Sequence, residues 1–159
     1  MNNNIEKNEL YNEIKKIIED SRSQIIRSIN SVIVISYWNI GKAIVEKQNR
    51  TEKTTYGEKL LEQVSIQIER EYGRGFSKRY LELMRQFYLT FQNAKSLLSQ
   101  LSWTHYLELI KIKNKEEREW YLNESIKGNL SSRQLHRLIT TFTYNRVLNN
   151  KPLEVSRDK

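Results

Sequence analysis

Tyr56 to Phe91, YGEKLLEQVSIQIEREYGRGFSKRYLELMRQFYLTF, reads as a helix, a glycine-containing turn and a second helix. In the first helix Leu60, Leu61, Val64, Ile68 and Tyr72 recur at the spacing that lines one side of a 3.6-residue turn, with Ile66 as the one misfit. Gly73 and Gly75 suit the left-handed backbone that ends a helix, and Ser77 suits the position from which a side chain caps the next one. A turn of about four residues is what a helix-turn-helix needs, and one is expected over residues 57–91. On the second helix Tyr80, Leu81, Leu83, Met84, Phe87, Tyr88 and Phe91 fall on one side, with Lys78, Arg79, Glu82, Arg85 and Gln86 opposite. One face is expected to pack and the other to be free. Cations at a helix N-terminus oppose the macrodipole, so an anionic partner explains Lys78 and Arg79 better than helix stability does. The plain alternative is a charged face that is merely solvated.

The location of the charge favours the partner. The net charge is +8, yet residues 1–73 carry eleven Lys/Arg against eleven Asp/Glu, residues 96–130 five against five, and residues 152–159 two against two. The excess therefore lies in 74–95, with Arg74, Lys78, Arg79, Arg85 and Lys95 against Glu82, and in 131–151, with Arg133, Arg137, Arg146 and Lys151 unopposed. Each segment contributes +4. A basic patch confined to the candidate recognition helix and one further helix is the footprint of a nucleic-acid binder.

One proline, Pro152, and five glycines suit long helices and fit poorly with a many-turned β fold, so the chain is read as all-α, with five or six helices. From about Ile5 to Gln48 nothing stops a helix, and one long N-terminal helix, or two with a slight break, is expected. The β-branched run Val32-Ile33-Val34-Ile35-Ser36 also suits a short strand, but helix is the preferred reading. A helix of this length projecting from a small domain is suited to pairing with a second copy, as a homodimer. Asn49 to Thr55 and Gln92 to Gln100 read as polar links. Ser102 is a natural N-cap for a helix carrying Trp103, Tyr106, Leu107 and Ile110, and Asn114 with Glu117 caps the next, which closes at Gly128. The last helix starts at Ser131 or Ser132. It is expected to turn Leu135, Leu138, Ile139 and Phe142 to the core and Arg133, Arg137, Thr140 and Tyr144 outward. Trp38, Leu61, Met84, Phe87, Trp103, Trp120 and Leu138 are the expected core, in a single domain over residues 5–150 with a polar tail at 151–159.

No catalytic constellation is legible. Asp occurs only at Asp20 and Asp158, so the carboxylate cluster of a metal-dependent nuclease has no source, and His105 and His136 lack partners at metal-ligand spacing. His105 is expected to be structural, beside Trp103. No cofactor and no metal are expected, and the chain by itself is read as non-catalytic. Without cysteine, a signal peptide or an apolar run of the roughly 20 residues a membrane helix needs, the protein is expected in the cytoplasm.

Taken in order, Tyr37-Trp38-Asn39-Ile40-Gly41-Lys42-Ala43-Ile44, Tyr56-Gly57, Tyr72-Gly73-Arg74-Gly75-Phe76-Ser77, Met84-Arg85-Gln86-Phe87-Tyr88 and Leu101-Ser102-Trp103-Thr104-His105-Tyr106 resemble the N-terminal domain of YhcG-like proteins. The resemblance covers about Ile5 to Leu148. In that family the domain precedes a PD-(D/E)XK nuclease domain, and some members lie near restriction and defence loci. The resemblance implies a DNA-binding or targeting module whose nuclease half sits elsewhere, in the same or a partner chain. From Gly75 onward the order of elements also looks like the central DNA-binding domain of ParB-type partition proteins, which implies recognition-helix positions for Ser77, Lys78 and Arg79.

The expected function is binding of double-stranded DNA. Ser77, Lys78, Arg79, Glu82, Arg85 and Gln86 would face the major groove, with Arg74, Arg133 and Arg137 nearer the phosphates. The rival is a protein-interaction or dimerisation module that works through the Ile-rich first helix.

Overall fold

The computed structural model describes residues 2–50, 54–92 and 99–149. Among them are seven α-helices and no strand: α1 (Asn2–Asn49), α2 (Thr54–Tyr72), α3 (Lys78–Thr90), α4 (Trp103–Leu109), α5 (Lys115–Lys127), α6 (Ser132–Thr140) and α7 (Thr143–Asn149). A 3-10 turn, Arg74–Phe76, joins α2 to α3. The expected tail at 151–159 and most of the link between α3 and α4 lie outside the described residues. No helix among those described is long and apolar enough to cross a membrane.

α1 is one continuous helix of 48 residues, and the β-branched run is part of it. Its burial has the helical period: Val34, Trp38, Gly41 and Val45 are buried, while Val32, two residues before the first of them and so on the other side of the helix, is exposed. This face packs on α3, which buries Leu81, Met84 and Phe87. The Trp38 indole N–H donates to the Phe91 carbonyl at 3.1 Å, which fixes the end of α3 against α1. Phe87, Phe91 and Tyr106 stack against one another with ring centroids 4.8 to 5.7 Å apart, so one aromatic cluster joins α1, α3 and α4. Tyr121 of α5 and Leu135 of α6 complete that core. Of the expected core residues, Trp38, Leu61, Met84 and Phe87 are buried, and Trp103, Trp120 and Leu138 are half-buried around them.

His105 is structural, by a hydrogen-bond arrangement that spacing alone does not reveal. Its Nδ1 accepts from the Ser102 backbone N–H at 3.3 Å and lies 2.7 Å from the Ser102 hydroxyl. The proton therefore sits on Nε2, which donates to the Leu130 carbonyl at 2.8 Å. One imidazole thus ties the start of α4 to the connection between α5 and α6. That connection forms because Asn129 takes the left-handed conformation at φ 46°, with Leu130 N–H returning to the Ser125 carbonyl. α5 ends at Gly128 as expected, but the residue with positive φ is Asn129.

Five local expectations are corrected. Gly73 alone of the turn glycines has positive φ, 95° with ψ 178°, a region open essentially to glycine; Gly75 has ordinary backbone. Ser77 holds the N-cap position of α3 but makes no side-chain cap bond. Five or six helices become seven because the last one breaks at Thr141–Phe142, where Phe142 adopts φ 52° and is 64% exposed, outside the core. The break has a packing reason. It turns Tyr144 inward onto Trp120 and Tyr121, and its backbone N–H donates to the Tyr121 hydroxyl, which itself donates to the Leu138 carbonyl. Tyr144 is therefore a packing residue of α7 and not part of the basic outer face of α6.

Candidate nucleic-acid interface

α3, α4 and α6 enclose an open cleft of about 520 Å³ lined by Arg79, Lys111, Arg133, His136, Thr104 and Ser132, with Tyr80 and Leu83 as apolar floor. α6 is positioned by a reciprocal cap: Gln134 N–H donates to the Ser131 hydroxyl at 3.2 Å and Ser131 N–H to the Gln134 side-chain oxygen at 2.7 Å. That start places Ser132 and Arg133 at the mouth of the cleft. The first turn of α3 brings Arg79 from the other side.

Between them stands Glu108, the one acidic residue of the lining. It accepts from Lys111 at 2.9 Å and pairs with Nδ1 of His136 at 3.0 Å. Burial works to raise its carboxyl, but the hydrogen bonds and charges of His136 and Lys111 outweigh burial and hold the pKa below the ordinary glutamate value. A depressed folded-state pKa means that its stabilisation is present above the unfolded value, about 4.3, and is lost as pH falls through the lower folded value. Glu108→Gln is therefore expected to cost no more than about 1 kcal/mol at pH 7. The difference from wild type should shrink toward zero near pH 3, as read from urea midpoints at both pH values. A difference of equal size at both would mean that the pair does not hold the carboxylate ionised.

The residues singled out from the sequence divide into three groups. Arg79 and Arg133 meet in the cleft. Arg74, in the 3-10 turn, Glu82, on α3, and Arg137, on α6, are exposed but do not line it. The others face inward or are engaged within the fold: Ser77 is half-buried, Lys78 pairs with Glu62 of α2 at 3.6 Å, Arg85 Nε donates to the Gln48 side chain at 2.7 Å, and Gln86 donates to the Ile110 carbonyl at 3.0 Å. The face of α3 expected to be free is thus partly occupied, because α1 flanks it on one side and the end of α4 on the other.

Lys111, His136, Thr104 and Ser132 were not anticipated. The periodicity held a signal for two of them, since Thr104, Leu107, Glu108 and Lys111 follow the three- and four-residue spacing of one helix face. His136 and Ser132 join them only through the packing of α6 on α4. Among the described residues no group of three His, Asp or Glu side chains is placed to hold a metal ion.

The profile of the DUF1016 N-terminal domain matches residues 13–146. The Escherichia coli K12 protein titled "Putative nuclease YhcG" is 28% identical over an alignment that takes in 88% of this chain. The chain spans 46% of the length of that relative. No solved structure matches it.

Proposed function

Since the chain belongs to the DUF1016 N-terminal domain family, we propose that it is the DNA-binding module of a nuclease-associated protein and is not itself the catalyst. The nuclease domain is carried in the same or a partner chain. Double-stranded DNA is the ligand, and the cytoplasm is the compartment in which the module works. The observation that carries this reading is the convergence of Arg79 and Arg133, one from each of the two segments that hold the whole positive excess, on one cleft with Lys111. Three cations, drawn from α3, α6 and the turn after α4 and lining one opening, suit a phosphate backbone. Arg74 and Arg137, exposed and outside the cleft lining, are the further cations this reading assigns to phosphates. Base reading falls to the exposed side of α3, where Glu82 follows Arg79 by three residues; Ser77, half-buried, contributes by starting the helix. Arg85 and Gln86 contribute through the packing of α3, since their side chains are already hydrogen-bonded.

Protein interaction through α1 is the second reading, favoured by the apolar side chains exposed along its first half. The two are compatible, because pairing of two copies through α1 would present two clefts to one duplex. Salt separates DNA binding from apolar association. Affinity for duplex DNA is expected to fall with a log–log slope of roughly −3 if three phosphates are neutralised. No binding at low salt, or binding insensitive to salt, would leave only the interaction module.

A further inference from the structure

The first half of α1 exposes Leu10, Tyr11, Ile14, Ile18, Ile25 and Val32 at 46% to 64% of their surface. Stepping 100° per residue, they lie on the side of α1 opposite Val34, Trp38, Gly41 and Val45, the face that packs on the domain. Tyr11, Ile18, Ile25 and Val32 recur every seven residues, the repeat of a helix that pairs with another helix. Further along α1, Ile40 and Ile44 are half-buried against Leu61, Leu81 and Met84, with part of each side chain left open. They line one wall of an open apolar groove of about 480 Å³ whose other wall is Leu60, Val64, Ile68 and Tyr72 of α2. The protruding stripe and the groove are thus two apolar surfaces on one helix, convex at the N-terminal half of α1 and concave at the C-terminal half, with exposed Ser36 and Asn39 between them.

We propose that a second copy of this chain docks antiparallel along α1, so that the Leu10–Ile14 turn of each copy fills the groove between α1 and α2 of the other. This rests on the pairing through α1 offered above but not on DNA binding. A ridge and a groove on one helix are complementary only when the two helices run in opposite directions, which gives a closed two-fold contact; parallel pairing would set groove against groove and leave both open. Each of the six side chains leaves close to half or more of its surface in solvent along one side of one helix, more contiguous apolar surface than scattered single exposed residues account for. Residues 5–33 carry five Lys/Arg and five Asp/Glu, so two copies meet there without net repulsion. The face of α1 that packs on α3 lies opposite the stripe, so of each copy's own elements it is α2, the second wall of the groove, that meets the partner.

The chain contains no cysteine, so introduced thiols report without background. Light scattering of the wild type is expected to give twice the 19.1 kDa chain mass, and Ile18→Glu with Ile25→Glu the single mass with unchanged helical circular dichroism. Mixed under oxidation, Tyr11→Cys and Ala43→Cys copies are expected to form the mixed disulfide, with little Tyr11→Cys self-pairing. A monomeric wild type at all concentrations would overturn pairing altogether. A dimer in which Tyr11→Cys pairs with itself would overturn the antiparallel arrangement and leave pairing standing.

Discussion

Reversing Arg79 and Arg133 together to glutamate is expected to weaken binding to duplex DNA by at least about a hundredfold near 0.1 M salt and to flatten the salt slope by roughly two contacts' worth. Both side chains are exposed at the mouth of the cleft, so folding should be intact, and the thermal midpoint checks this. The effect is large because each change removes a cation that releases counterions and adds an anion facing the same phosphates. The control is Lys59→Glu on α2, exposed and outside the cleft, which alters net charge without altering the site. Should the double variant lose no more affinity than this control, the cleft is not where DNA sits. Glu108→Gln bears on the same point from the other side. It removes the only acidic group of the lining and should tighten DNA binding severalfold while leaving its sequence preference alone.

How far the sequence discloses this site follows from which interactions are local. α1 to α6 were legible because their start and stop signals are a few residues apart: Ser131 with Gln134 and Asn114 with Glu117 form the caps their spacing implies. The segment-by-segment charge count likewise pointed to Arg79 and Arg133 before any packing was known. What stayed hidden was decided by contacts between distant residues. Arg85 lies on the polar side of α3 by its angle, but Gln48, 37 residues earlier, takes its Nε–H. Phe142 fits the apolar period of a single last helix, yet the inward docking of Tyr144 breaks that helix and leaves Phe142 in solvent. His136 has no sequence neighbour to explain it and gains its partner, Glu108, only when α6 lies on α4. Nothing in the sequence of α1 marks where its cover stops: among the described residues the burial lies in its second half, and the first half carries isoleucine, leucine and tyrosine side chains into solvent.

Gly41→Ala is expected to destabilise the domain by about 3 kcal/mol or more, because it forces extra volume into a close backbone contact. Gly41 lies on the packed face of α1 between Trp38 and Val45, where that helix crosses α3. A Cβ there would overlap the Met84 carbonyl oxygen and press on the Cβ of Tyr88. Neither can move alone. The carbonyl belongs to the backbone of α3, and Met84 is completely buried, so relief requires the two helices to separate and the aromatic cluster with them. Against a total stability of about 5–15 kcal/mol the loss is large, and it corresponds to a thermal midpoint lower by roughly 10 °C for a domain of this size. Gly57→Ala makes the comparison sharp. Its added Cβ would meet only the Gln48 side chain, at 3.2 Å, which must give by a few tenths of an ångström while keeping its bond to Arg85, and alanine gains up to about 1 kcal/mol over glycine within a helix, so that variant should stay close to wild type. Equal midpoints for the two variants would mean that α1 and α3 do not approach backbone to backbone at Gly41. The position of Arg79 over the cleft, which depends on that approach, would then need another explanation.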